Sequence, residues 1–142
     1  MTTTILLLVG TSSAGKSTLA KQLQAILPDH YLLLGLDDVF RMVSPRWGGG
    51  LAGPLSYQGF RYDHSSAPPT ITLRYGAVGR AVLDGMHQAV AAFAQAGTNV
   101  IVDIDAETKQ KLRKPTRNLK GTMLFHARTT QARRRSDYSR AA

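Results

Sequence analysis

The residues Gly10-Thr11-Ser12-Ser13-Ala14-Gly15-Lys16-Ser17, followed by Thr18, fit the pattern G-x-x-x-x-G-K-[ST]. The residue types explain what such a stretch can do. Glycine at 10 and 15 admits backbone conformations closed to other residues, so successive N–H groups can converge on phosphate oxygens. A helix starting near Lys16 adds the positive end of its dipole at the same point. The Lys16 ammonium would reach the β- and γ-phosphates of a nucleotide, and the Ser17 hydroxyl would sit on its Mg²⁺. The run from Gly10 to Thr18 is therefore the candidate nucleotide-binding segment. A glycine loop that merely joins a strand to a helix is the plain structural alternative, and the flanking strand and helix favour phosphate binding over it.

A phosphate cradle transfers nothing by itself. A reaction needs an acceptor and a group to take its proton. Asp37 is the candidate base, because it follows the apolar run 31–36, at the strand end where open α/β sheets hold ligands. Capping of the next helix is the structural alternative for Asp37, and the two roles are compatible. Asp38 adjoins it; successive strand residues point to opposite faces, so one of the pair faces the site. Asp103 ends a second apolar run, Asn99-Val100-Ile101-Val102. It is the candidate carboxylate for the Mg²⁺ shell, with Asp105 a nearby substitute. Small-molecule kinases commonly carry arginines on a mobile lid to neutralise the moving phosphoryl. Arg128, Arg133, Arg134 and Arg135 stand where a lid would fall, although a solvated basic end is the simpler account of any one of them.

Positioning these groups takes strand, loop and helix in order. Ile5-Leu6-Leu7-Leu8-Val9 is fit for a buried strand, and apolar residues at 19, 20, 23, 26 and 27 have helical spacing, stopped by Pro28. Residues 31–36 predict a second strand and 39–43 a short helix. Residues 45–70 are rich in Gly and Pro, interleaved with Trp47, Tyr57, Phe60 and Tyr62. They are expected to form a long irregular loop, which either lines a pocket for a flat or apolar substrate or pins itself to the core. Residues 71–96 predict a helix with Val78, Val82, Met86, Ala89, Val90 and Phe93 on its core stripe and Gly97 as its stop. His87 falls off that stripe and is expected at the solvated surface. Residues 99–103 and 122–127 predict two further strands, and Pro115 interrupts a helical start at 109–114.

The chain has 142 residues, 43% of them hydrophobic, and no cysteine, which bounds it to one domain without disulfides or cysteine-held zinc. The N-terminal apolar run is too short for a signal peptide or a membrane span, so a cytoplasmic protein with no membrane partner is expected. The net charge of +9 is unevenly spread. Seven Lys/Arg and seven Asp/Glu cancel in residues 1–105, while 106–142 hold eleven cations against Glu107 and Asp137. Such a tail could attract nucleic acid. Only Phe125 and Tyr138 offer stacking there, and the body carries no excess charge, which weighs against a nucleic-acid partner.

Taken together, Gly10-x-Ser12-Ser13-Ala14-Gly15-Lys16-Ser17, Gly35-Leu36-Asp37 and Val100-Ile101-Val102-Asp103 resemble the chloramphenicol phosphotransferase-like family over about residues 4–104. The resemblance implies an α/β, three-layer P-loop NTPase/kinase fold whose parallel sheet runs 2-3-1-4, counting the four strands in chain order. It implies transfer of the ATP γ-phosphate to a hydroxyl of chloramphenicol, which inactivates the antibiotic and confers resistance. ATP and Mg²⁺ follow as cofactors, Lys16 and Ser17 as their contacts, Asp37 as the base, and a small hydroxyl compound as partner. Two departures stand out. Ile104 occupies the position where the family usually has a second acid. Beyond it only Leu119-Lys120-Gly121-Thr122-Met123-Leu124-Phe125 echoes the next strand, so a fold truncated on its C-terminal side is expected. The domain would cover 1–127, with 45–70 as substrate loop and 128–142 as a basic tail. A kinase for another small metabolite and a non-catalytic ATP-binding protein remain as alternatives.

Overall fold

The computed structural model describes residues 3–10, 14–48, 53–66, 69–104 and 122–126. Four strands form a parallel sheet: β1 (Ile5–Val9), β2 (Tyr31–Gly35), β5 (Asn99–Ile104) and β6 (Thr122–His126). Their order is β2-β5-β1-β6, the 2-3-1-4 arrangement expected of the four runs. β1 and β5 lie at the centre, in register from Ile5↔Val100 to Val9↔Ile104. Both are nearly uninterrupted apolar runs because both faces of a parallel sheet are covered.

The two faces have different cores. Leu6, Leu8 and Ile101 meet Ala20, Leu23 and Leu27 of the segment around α1 (Lys16–Ile26). Ile5, Leu7, Val9, Val100, Val102 and Ile104 meet Met86, Val90 and Ala94 of α3 (Ala77–Gln95). Strand alternation does this sorting, since odd and even residues of β1 point to opposite layers. Ile104 is 1% exposed within the second core, so the position where the family usually has a second acid is here a packing position.

α1 starts where Gly15 takes a left-handed conformation, φ 77°, and the Leu19 N–H donates to the Gly15 carbonyl at 2.9 Å. A side chain would be strained at that φ, which is why glycine precedes the lysine. β2 passes straight into α2 (Leu36–Met42), with Gly35 as the cap residue.

The described parts of 45–70 hold more regular structure than their composition suggests. Pro45–Trp47 form a short 3₁₀ turn, and β3 (Phe60–Ser66) pairs antiparallel with β4 (Pro69–Tyr75) in a hairpin. The helix expected from residue 71 starts at Ala77 instead. The reason is legible afterwards: Thr70-Ile71-Thr72-Leu73-Arg74-Tyr75 alternates with period two and is rich in β-branched residues, a strand pattern cut off by Gly76. The first amides of α3 are capped by a neighbouring loop. Gly76 N–H donates to the Gly59 carbonyl at 2.9 Å, and the N–H groups of Val78 and Gly79 donate to the Gln58 carbonyl at 2.9 and 3.2 Å. This contact is so close that a Cβ on Gly79 would stand 2.4 Å from the Gly59 oxygen.

Two expectations about α3 are corrected. His87 is 2% exposed, not solvated, and Phe93 is 41% exposed, not core. The buried face is turned toward the row Leu83, His87 and Ala91, because the helix packs both on the sheet and on the hairpin.

Candidate functional site

The start of α1 and the end of β5 bring three of the expected residues together. Ser17 Oγ donates to Asp103 Oδ2 at 2.6 Å. Lys16 Nζ lies 3.7 Å from Asp103 Oδ1, with 11% and 14% of the two side chains exposed. A lysine and a carboxylate this sheltered interact more strongly than a surface pair. The register explains the meeting: Asp103 stands opposite Leu8 on one side and Gly35 on the other, at the strand ends that face the α1 N-terminus. Gly10, Ala14, Gly15 and Thr18 belong to the same loop-to-helix junction, and Thr18 is exposed. Thr11, Ser12 and Ser13 lie outside the described residues, as do Asp105, Arg128, Arg133, Arg134 and Arg135.

Asp37 is brought to the same place from the opposite side. A cleft of about 150 Å³ is lined by Ser17 and Lys21 of α1, Asp37, Asp38 and Arg41 of α2, and Asp103. The sequence expectation about the acid pair needs correcting. Both acids sit in the first turn of α2 rather than on a strand, so they do not point to opposite faces, and both line the cleft. The capping role falls to Asp38, three residues after the cap: Gly35 N–H donates to Asp38 Oδ2 at 2.9 Å. The other Asp38 oxygen accepts from Arg41 Nη1 at 3.2 Å. Asp38 is thus committed to its own helix. Asp37 has no hydrogen bond or ion pair among the described residues, which leaves its carboxylate available to the cleft.

Of the two roles expected for the aromatic residues of 45–70, Phe60 takes the pinning one, and none of them lines the cleft described above. Phe60 is 1% exposed and packs on Phe40 of α2, ring centroids 4.7 Å apart and tilted by 57°. It pins the hairpin to the body. Tyr57 is exposed beneath the Arg61 guanidinium, 4.4 Å from its ring centroid. Tyr62 is 45% exposed, and its phenol is held above the ordinary tyrosine range, by burial first and by the Asp37 carboxylate second. On the other face of the hairpin Asp63 takes Arg61 at 3.0 Å and Arg74 at 3.2 Å. Partial desolvation pushes its carboxyl up, but the two guanidiniums outweigh that and hold it below the usual range.

Lys21 and Arg41 were not singled out as site residues in the sequence. Spacing could have found them. Lys21 is four residues after Ser17, and Arg41 four after Asp37, so each shares a helix face with a chosen residue.

The comparisons with known proteins fit this geometry. Among curated proteins none matches the chain in sequence. Two solved structures share the fold. One is an unliganded sugar kinase from Janibacter sp. HTCC2649, with TM-score 0.52 and 16% identity over 89% of this chain and 60% of that one. The other is a protein from Chloroflexus aurantiacus described as a kinase, with TM-score 0.51 and 17% identity over 88% of this chain and 59% of that one. The chain spans about three fifths of the length of each, and at these identities the likeness establishes the P-loop kinase fold alone. The family profile described as "Chloramphenicol phosphotransferase-like protein" matches residues 3–129. With nearly its whole length matched, the chain belongs to the chloramphenicol phosphotransferase-like family.

Proposed function

We propose that this chain is an ATP-dependent phosphotransferase that moves the γ-phosphate to a hydroxyl of a small molecule, chloramphenicol or a compound like it by virtue of its family. The observation that carries this is the convergence of Lys16, Ser17 and Asp103, at 3.7 and 2.6 Å, across one cleft from an uncommitted Asp37.

The residues present fit Mg-ATP. A hydroxyl and a carboxylate already in contact are hard oxygen donors, the kind Mg²⁺ takes alongside substrate phosphates. When bound, Mg-ATP would supply the phosphoryl group with its charge partly neutralised. Lys16 would hold the β- and γ-phosphates as a fixed cation, exchanging its contact with Asp103 for phosphate oxygens. Ser17 and Asp103 would hold the metal. Asp37 would orient the acceptor hydroxyl and take its proton at a carboxylate oxygen as the new P–O bond forms. With ATP as donor, the place of action would be the cytoplasm; no described helix is long and apolar enough to cross a membrane.

The test is ADP release from Mg-ATP with a panel of hydroxyl compounds: chloramphenicol, simple sugars and simple alcohols. Acceptor-dependent release in the wild type, lost in Lys16→Ala and lowered about 10²- to 10⁴-fold in Asp37→Asn, supports the proposal. ATP binding with no turnover on any compound would replace it with a non-catalytic nucleotide-binding role.

A further inference from the structure

The hairpin lies directly on the helix that carries Asp37. Strand alternation puts Phe60 and Tyr62 on one face of β3, with Tyr75 and Leu73 as their cross-strand partners on β4. That face is the anchored one: Phe60, Leu73 and Tyr75 pack with Leu36 and Phe40 of α2. Leu36 is the neighbour of Asp37 in the first turn of the helix. Tyr62 follows Phe60 on this face by one repeat, roughly 6.7 Å along the strand. Phe60 is fully covered, whereas Tyr62 is 45% exposed. Tyr62 is therefore the first residue of the anchored face to emerge from the packing.

It emerges beside Asp37. The charge of that carboxylate reaches the phenol and raises its pKa, after the larger effect of burial. The two side chains make no hydrogen bond with each other, so neither polar group is committed to the other. A phenol whose pKa is raised stays protonated at neutral pH and keeps its O–H to donate. The Asp37 carboxylate only accepts. A donor on β3 and an acceptor on α2 thus lie within electrostatic reach of each other, on two elements packed together through Phe60, Leu73 and Leu36.

We propose that Tyr62 is a specificity-determining residue that contacts the acceptor: its ring walls the space over Asp37 and its O–H donates to an acceptor oxygen one or two carbons from the hydroxyl that reacts. The assignment rests on the phosphotransferase reading above. The substrate class it selects is a compound with two neighbouring oxygens, one hydroxyl donating to Asp37 and the other oxygen accepting from Tyr62. Both an aromatic propanediol and a sugar meet that description, and both belong in the test.

The test compares chloramphenicol and a monosaccharide with alcohols that lack the second oxygen, in wild type and in Tyr62→Phe and Tyr62→Ala. In wild type a compound with the oxygen pair should have the higher kcat/KM. Tyr62→Phe keeps the ring and should raise the KM for that compound about three- to tenfold, the effect of one neutral hydrogen bond, while the KM for ATP stays. The same change should erase the preference over the single alcohol, which a loss of packing alone would not do. Tyr62→Ala should raise the acceptor KM further. The expected preference in chloramphenicol alone names the aromatic diol; in the sugar alone, the polyol. A preference that survives Tyr62→Phe within twofold overturns the assignment and leaves the phosphotransferase reading standing. No turnover on any compound takes both down. A second measurement follows tyrosine ionisation by ultraviolet absorbance: Asp37→Asn should lower the Tyr62 midpoint, identified by its absence in Tyr62→Phe. An unmoved midpoint would show that the two groups are not neighbours and overturn the assignment.

Discussion

Asp103 holds two partners at once, Lys16 through one oxygen and Ser17 through the other. This makes a specific prediction. Asp103→Asn keeps the size of the side chain but removes its charge. On the phosphotransferase reading, Lys16 would then be released toward phosphates, while Mg²⁺ would lose a carboxylate. Titration calorimetry should show ATP binding without Mg²⁺ unchanged or tighter, and the gain on adding Mg²⁺ reduced about tenfold or more. Lys16→Ala should weaken ATP binding about 10- to 100-fold with or without metal, the range for a lost charged hydrogen bond. At this scale the sequence was most legible where a motif carries its own geometry. Glycine, lysine and serine at fixed spacing pointed to the place where Lys16, Ser17 and Asp103 meet. Asp37 and Asp38 were harder. Which of two adjacent acids caps a helix depends on where the helix begins, and β2 ends one residue earlier than the apolar run suggested, at Gly35.

The elements with least signal in the sequence were β3 and β4. Glycine, proline and aromatics together read as irregular loop, yet Phe60 of the hairpin is buried between α2 and α3 with Leu73 and Tyr75 packed beside it. Phe60→Ala should cost about 3–5 kcal/mol, read as a lower midpoint in urea unfolding, because it empties the space beside Phe40 and Leu83. Gly79→Ala should cost about 1–3 kcal/mol despite alanine's better helix propensity, since its methyl would meet the Gly59 carbonyl. The hairpin should also loosen in acid. Asp63 is held below its ordinary carboxyl value of 3.8 by Arg61 and Arg74. A lowered folded value stabilises the fold above the unfolded value, and that stability is lost as the pH falls through the folded one. Protection of β3 and β4 amides, relative to the unfolded exchange rate at the same pH, should therefore fall below about pH 4, and Asp63→Asn should reduce this fall. His87 and Phe93 show why the face of α3 was misjudged. A helix packed against a sheet alone buries one stripe, whereas this one also meets the hairpin, and that second contact is invisible to periodicity.

At the scale of the whole molecule the sequence was legible through its resemblance, which supplied the strand order that periodicity could not. Apolar runs identify buried strands but not their neighbours. Once the order is known, each layer of the core follows from odd and even positions. Ile104→Asp, which would restore the family's second acid, should lose about 3 kcal/mol or more or fail to fold, because it puts a charge among Val9, Met86 and Val90. Thermal unfolding of the purified variant would measure this.

The close seating of Gln58 and Gly59 on α3 has a different kind of consequence. Their carbonyls grip the first amides of α3, while Phe60, the next residue along, grips α2. The stretch between α2 and α3 is thus clamped at its base, and Tyr62 lies just beyond the clamp. If the chain is the phosphotransferase proposed above, the α1 and β5 ends would serve the phosphate donor and this clamped stretch the acceptor, so that exchanging the outer half of the hairpin would change the compound recognised and leave the nucleotide side as it is.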